Sequence, residues 1–192
     1  MSASTILALS GSLRADSHNT QLLRAAQKFN PGKHEIEIYD GLRDLPPYDL
    51  DIDTPELRPA AVNELRRRVG EAAGLLIATP EFNYSIPGVL KNALDWLSTD
   101  WTRTEGLPLR RKPTAILGAG PGAFGTVRAQ LALRQILVCT DNDVVVKPEV
   151  HVFRSHERFD TDGNLTDGLT IELLQDLLSA LQTKIDTTAA GA

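Results

Sequence analysis

Apolar residues along this chain fall into two patterns: short unbroken runs, and longer stretches where they recur every three or four positions. Thr5-Ile-Leu-Ala-Leu9 and Gly74-Leu-Leu-Ile-Ala-Thr79 are unbroken runs, as expected of central parallel strands covered on both faces. Glu35-Ile-Glu-Ile-Tyr39 and residues 114–117 and 144–147 predict three more strands. Helical spacing appears in Leu22, Leu23, Ala26 and Phe29, which stop at Asn30-Pro31-Gly32. It returns over residues 56–69, with Leu57, Ala61, Leu65 and Val69 on one stripe and Arg66, Arg67 and Arg68 on a solvated side. Pro87 suits a first helical turn, followed by Val89, Leu90, Ala93, Leu94 and Leu97. Residues 127–138 and the stripe Leu173, Leu174, Leu177, Leu178, Leu181 and Ile185 complete five helices, before a tail at 187–192 that reads as frayed. The Asp- and Pro-rich stretch 40–55 lacks periodicity and predicts a long surface loop.

Strands alternating with helices argue for a doubly wound α/β sheet in one domain spanning residues 1–192. For a chain of 192 residues, the expected form is a three-layer sandwich: five parallel strands in the order 2-1-3-4-5, with helices on both faces. Ligands of such sheets sit outside the carboxyl ends of the strands, where the strand order reverses. The loops after Leu9, Thr79 and Leu117 are therefore the places for chemistry.

Composition narrows that chemistry. A net charge of −5 and a pI near 5.4 argue against a phosphate backbone as partner, so no nucleic acid is expected. The amino terminus lacks a basic flank and no apolar stretch is long enough to span a bilayer, so a cytoplasmic protein without membrane insertion is expected. Cys139 is the single cysteine, which excludes an intrachain disulfide or a dithiol pair and leaves redox work to a bound cofactor. It lies in a segment apolar at helical spacing and is expected to be a buried, inert thiol. His18, His34, His151 and His156 form no ligand pair and read as surface or capping residues, and the Asp-rich loop lacks the spacing of a calcium loop, so no metal site is expected.

The first loop, Ser10-Gly-Ser-Leu-Arg-Ala-Asp-Ser-His-Asn19, supplies hydroxyls, a guanidinium and a helix start within ten residues. A phosphate monoester needs these groups: backbone N–H donors at a helix amino terminus, hydroxyls from Ser12 and Ser17, and a charge-assisted bond from Arg14. Read as local structure alone, Ser17 is a helix cap and Arg14 a solvated side chain. Neither a dinucleotide glycine fingerprint nor a P-loop is present, which favours a mononucleotide over a pyrophosphate. The second loop, Pro80-Glu-Phe-Asn-Tyr-Ser-Ile-Pro-Gly88, offers backbone donors to the polar edge of a flat ring, and Phe82 or Tyr84 could cover its face. Taken singly, Phe82, Tyr84 and Trp96 read as core or interface residues, and Glu81 as an ordinary loop carboxylate. The third, Gly118-Ala-Gly-Pro-Gly-Ala-Phe-Gly125, permits close backbone approach at Gly118 and Gly120 but no side-chain hydrogen bond; otherwise it is a flexible turn.

Taken whole, Gly-Ser-Leu-Arg-x-x-Ser-x-Asn at 11–19 and Pro-Glu-Phe-Asn-Tyr-Ser-x-Pro-Gly-x-Leu-Lys-Asn-Ala-Leu-Asp-Trp at 80–96 closely resemble the signature segments of the NADPH-dependent FMN reductase family. That family includes quinone, chromate and azo-dye reductases, and the similarity spans about residues 5–185. The resemblance implies a flavodoxin-like fold and non-covalent FMN. It places the phosphate at Ser12, Arg14, Ser17 and Asn19, and the ring against Pro80, Glu81, Phe82 and Asn83. It also implies NAD(P)H as electron donor and a homodimer or homotetramer with the flavin near a subunit boundary. Two departures stand out: glycine and alanine at 118–120, where relatives often carry hydroxyls, and Phe82 in place of a tyrosine.

The expected activity passes electrons from NAD(P)H to a quinone-like small acceptor, chromate, an azo dye or free flavin by a ping-pong cycle. No catalytic triad is expected, since the hydride chemistry belongs to the cofactor. Arg14, Tyr48, Asn83 and Tyr84 are candidates for the pocket rim. The rival reading is a flavodoxin-type electron carrier that serves a protein partner without NAD(P)H.

Overall fold

The computed structural model describes residues 4–190. Its parallel sheet is built from β1 (Thr5–Ser10), β2 (Glu35–Tyr39), β3 (Gly74–Ala78), β4 (Pro113–Ala119), β5 (Asp143–Val144) and β6 (Val150–Val152). The order is β2-β1-β3-β4-β5, with β6 also pairing β4. The expected flavodoxin-like topology is therefore present.

The fifth position of the sheet is shared. β5 pairs the start of β4, Pro113 with Asp143 and Thr114 with Val144, while β6 pairs its end, Leu117 with Val150 through Ala119 with Val152. The single strand expected at 144–147 is thus corrected to two short pieces. Val145 still donates to Thr114 O (2.8 Å), but the chain then leaves the ladder. Val146 is exposed, and Pro148 has no N–H to offer β4.

Helices α1 (His18–Lys28) and α5 (Gly168–Ala190) cover one face of the sheet, and α2 (Ala60–Glu71), α3 (Gly88–Leu97) and α4 (Val127–Cys139) the other. Alternation along β1 shows why its sequence is an unbroken apolar run. Ile6 and Ala8 pack with Leu22, Leu23 and Leu178 on the first face, whereas Leu7 and Leu9 pack with Leu65, Leu90 and Leu94 on the second. Burial of Ile6 and of each of these leucines stabilises the fold by roughly 1.5–3 kcal/mol, and of Ala8 by less.

Several expectations are corrected. The second helix begins at Ala60, not residue 56, because Pro59 occupies its cap, and Leu57 stays exposed. Arg66 is buried, donating to Trp96 O (2.8 Å) and Thr99 O (2.9 Å), so the triple-arginine face is not wholly solvated. The acidic loop is not simply solvated either. It carries two short 3-10 turns, Gly41–Asp44 and Leu50–Ile52, and ends in Asp53, which is buried against Arg58. Burial alone would raise the Asp53 carboxyl, but hydrogen bonds from Thr99 and Arg58 and the Arg58 charge outweigh it and hold it below its ordinary range. His34 is also buried, bonded to Ser4 Oγ (2.6 Å) and Asp186 (3.2 Å). Cys139 is exposed. Leu133 and Leu137 mark the buried stripe of α4, and a residue two further on lies about 200° round the helix from Leu137. The tail is helical through Ala190, with residues 191–192 outside the described region.

Candidate functional site

Loop one leaves β1 through Gly11, whose N–H donates to Ala78 O (2.8 Å) on β3. A Cβ here would lie 3.1 Å from Pro80 and 3.2 Å from Pro87 and Leu90, so glycine lets loop one lie against loop two. Ser17 caps α1 in extended conformation, its hydroxyl accepting from Asn19 N (3.2 Å) and its carbonyl from Gln21 N (2.9 Å). The backbone N–H groups of His18 and Thr20 have no partner among the described residues. No acidic side chain occupies the first turn, so the positive end of the helix is open to an anion. Arg14 is exposed beside it, its guanidinium donating to Asp16 O. Arg43, which the sequence reading overlooked, reaches Leu13 O (2.7 Å) from the β2 side.

Asn19 has a structural task. Its Nδ2 donates to Ala119 O and its Oδ1 accepts from Ala119 N, both at 2.9 Å, and the pair is buried. The side chain therefore clasps α1 to the end of β4, and any phosphate would meet this position through the helix start that Asn19 holds in place.

Loop two forms a tight hairpin. Phe82 and Ser85 exchange backbone hydrogen bonds (3.0 and 2.9 Å), and the two residues between them, Asn83 and Tyr84, have φ of 50° and 65°. Two left-handed central residues make a turn of the kind that ordinarily takes Asn-Gly, so Tyr84 is held in a strained conformation. The hairpin presents Phe82 and Tyr84 to solvent at 59% and 71% exposure.

Glu81 is not an idle loop carboxylate. It accepts from the backbone N–H of Arg128 (3.0 Å) and Ala129 (3.3 Å) and from Arg128 Nε (2.5 Å), capping α4 from another part of the chain. The guanidinium of Arg128 then lies 4.1 Å from the Tyr84 ring and 5.3 Å from that of Phe124, within cation–π range. Sequence reasoning missed Arg128. One signal existed: a cation in the first turn of a helix opposes the macrodipole and calls for a carboxylate partner.

Loop three is less open than its glycines suggested. Gly118 belongs to β4, and a Cβ there would meet Thr126 Oγ1 at 2.1 Å and Thr79 O at 2.3 Å. Gly120 donates to Val152 O (2.9 Å) and accepts from Ser155 N (3.1 Å). A Cβ on Gly120 would meet Gly125 O at 2.7 Å, so close packing excludes hydroxyl side chains at both positions, while residues 121–124 stay exposed at the surface. Tyr48 is drawn into a separate network, donating to Asp53 (3.2 Å) and accepting from Trp101 Nε1 (3.2 Å).

The three loops thus meet at the carboxyl ends of β1, β3 and β4, joined by Gly11 against Pro80, by Asn19 on Ala119 and by Glu81 on Arg128. The sequence profile of the family described as NADPH-dependent FMN reductase matches residues 4–157. The chain belongs to that family. An NAD(P)H-dependent FMN reductase of Pseudomonas aeruginosa is 44% identical over 177 residues, covering 92% of each chain. A quinone reductase of Escherichia coli is 39% identical over 176 residues, covering 91% of this chain and 92% of that one. Among solved structures, the flavoenzyme NAD(P)H:(acceptor) oxidoreductase FerB from Paracoccus denitrificans superimposes with a TM-score of 0.85 at 32% identity, covering 96% of this chain and 98% of its own.

The protein is accordingly an oxidoreductase of the FMN and NAD(P)H class. The donor set fits the cofactor's phosphate: first-turn N–H groups without partners among the described residues, serine hydroxyls and the exposed Arg14 would suit a monoester dianion. When bound, FMN supplies the hydride and electron chemistry, and the chain supplies position and field.

Proposed function

We propose that this protein oxidises NADH or NADPH and delivers the electrons to quinones or comparable small acceptors, with chromate, azo dyes and free flavin within its range. The observation that carries the reading is the convergence of an uncompensated helix start and an exposed aromatic hairpin at the strand-order reversal. In this reading Ser12, Arg14, Ser17 and the helix start secured by Asn19 hold the phosphate. Pro80, Glu81, Phe82, Asn83 and Tyr84 border the ring on one side, and the backbone around Gly118 and Gly120 walls the other. Donor and acceptor use one surface in turn, giving ping-pong kinetics.

Assembly is part of the proposal. Tyr84 and Phe124 are exposed at 71% and 67% around Arg128, and Phe82 of the same hairpin at 59%, more apolar surface than a site for a single small ring needs, and a second subunit of a homodimer or homotetramer would cover it. Among the described residues no helix is long and apolar enough to cross a membrane, which is compatible with a cytoplasmic location.

Visible spectra recorded before and after anaerobic NADPH, then after benzoquinone, test the function. Flavin bands that bleach with NADPH and return with the quinone are expected. Holoprotein that NADPH and NADH both fail to bleach would leave an electron carrier as the better reading. Parallel double-reciprocal lines are expected for NADPH against quinone, and intersecting lines would refute the alternating use of one surface.

A further inference from the structure

His18 is the first residue of α1, directly after the Ser17 cap. Its ring is fixed on two sides. Nδ1 is hydrogen-bonded to Ser155 Oγ (2.7 Å), and the imidazole stacks on Phe159 with centroids 4.9 Å apart and planes 8° from parallel. Ser155 is wholly buried, so one partner is a rigid part of the fold. A residue at a helix start with no structural task would be free in solvent. This one is held by the segment after β6, beside N–H groups that lack partners among the described residues.

The charges around it are informative. Burial lowers the proton affinity of the imidazole, and Arg14 from loop one and His156 from the turn after β6 lower it further. From the same segment, Glu157 is engaged with Arg154 and His156, and Arg158 is paired with Asp167 (2.7 Å). Arg14 is a permanent cation beside the ring, and the carboxylates of the facing segment, Glu157 and Asp167, are already paired. Asp16, exposed two residues before His18, is the one carboxylate of loop one.

We propose that His18 is the proton-carrying member of the phosphate site: when the FMN phosphate docks at the start of α1, the imidazole takes up a proton and becomes a second cation beside Arg14. The inference rests on the cofactor placement proposed above. Cofactor binding and proton uptake are then linked. A nearby dianion favours the charged ring, so FMN binds more tightly as pH falls through the range where the free protein leaves His18 neutral and the complex protonates it. The gain is about tenfold for each unit by which the phosphate raises the imidazole's pKa.

The test is fluorescence titration of FMN with apoprotein between about pH 5.5 and 8.5, for wild type, His18→Gln and His18→Phe, with riboflavin as the phosphate-free probe. Glutamine keeps a hydrogen-bonding side chain for Ser155 and phenylalanine keeps a stacking ring for Phe159, so each variant retains one of the two contacts that fix the position, and circular dichroism checks that it folds. The phosphate's own titration is common to all three proteins, and the quantity read is the difference between their profiles. Wild type is expected to lose several-fold more FMN affinity across the range than the variants, and riboflavin is expected to show no difference. Imidazole resonances should report His18 titrating below 6.5 in apoprotein and at higher pH with FMN bound. Coincident FMN profiles for wild type and a folded variant, or an imidazole unmoved by FMN, would overturn the role of His18. Absence of FMN binding at every pH would instead overturn the cofactor placement.

Discussion

The two ends of the sheet make opposite use of their polar groups. At the amino ends of the strands lies a cleft of about 1440 Å³, lined by Lys33, His34, Lys112, Asp143, Lys184 and Asp186 among others. Its charges satisfy one another: Asp186 takes Lys33 (2.9 Å) and His34 (3.2 Å), and Asp143 takes Lys184. Lys112 donates to Gly70 O (3.0 Å) and Ala72 O (2.5 Å), closing the carboxyl end of α2. At the carboxyl ends of the strands, first-turn N–H groups lack partners among the described residues and aromatic rings face solvent. A hollow whose charges are already paired offers a ligand less than an open surface with unfilled hydrogen-bonding capacity, which is why the cofactor is proposed at the second end.

Substitutions at the two ends should separate structural from binding roles. The largest effect is expected for Asn19→Ala, which leaves both backbone groups of Ala119 unpaired and buried. A loss of roughly 2–4 kcal/mol of stability in urea denaturation follows from two such groups. Stability within error of wild type would show that the clasp is replaceable. Arg14→Ala should weaken FMN binding by about 1.5–3 kcal/mol with little change in fold stability. Unchanged affinity would remove Arg14 from the phosphate site.

A third expectation concerns acid. Because burial, Arg14 and His156 lower the proton affinity of His18 in the folded protein, the unfolded chain binds that proton more readily. The resulting stability is fully present above the unfolded value of 6.5 and is lost as pH falls from there through the lower folded value. The apoprotein's melting temperature should therefore fall more in that window for wild type than for His18→Gln, and equal falls would show that His18 is not the group responsible. The smallest effect belongs to the amino end. Lys184→Ala removes a partly exposed ion pair and should cost less than about 1 kcal/mol while leaving FMN affinity untouched; weakened FMN binding would erase the distinction between the two ends.

The strands with continuous apolar runs were legible because burial on both faces demands such runs, as β1 and β3 show. The broken fifth position was not. Four consecutive residues of strand-like composition at 144–147 outweighed the weaker signal of Val150–Val152, whose pairing depends on where β4 ends. In the candidate site, the Ser17 cap at the start of α1 was readable because a capping hydroxyl acts within a single turn of helix. The Glu81–Arg128 cap spans 47 positions, and the Asn19–Ala119 clasp 100. Neither partner reveals the other without the fold. Gly118 was readable as glycine but not for its reason, which is the backbone of Thr79 and the side chain of Thr126 pressing against it.

With the flavin ring placed as proposed, the hairpin at Asn83 and Tyr84 sets durability against chemistry at a single codon. Glycine at 84 would relieve a left-handed conformation that costs a side-chain-bearing residue roughly 1–2 kcal/mol, and would create the Asn-Gly pair such turns prefer. A population selected only for heat resistance would drift toward that change, and the ring beneath Arg128 would be among the first features it lost. Screens for hardier forms of this enzyme should therefore hold residue 84 fixed, or score turnover alongside survival.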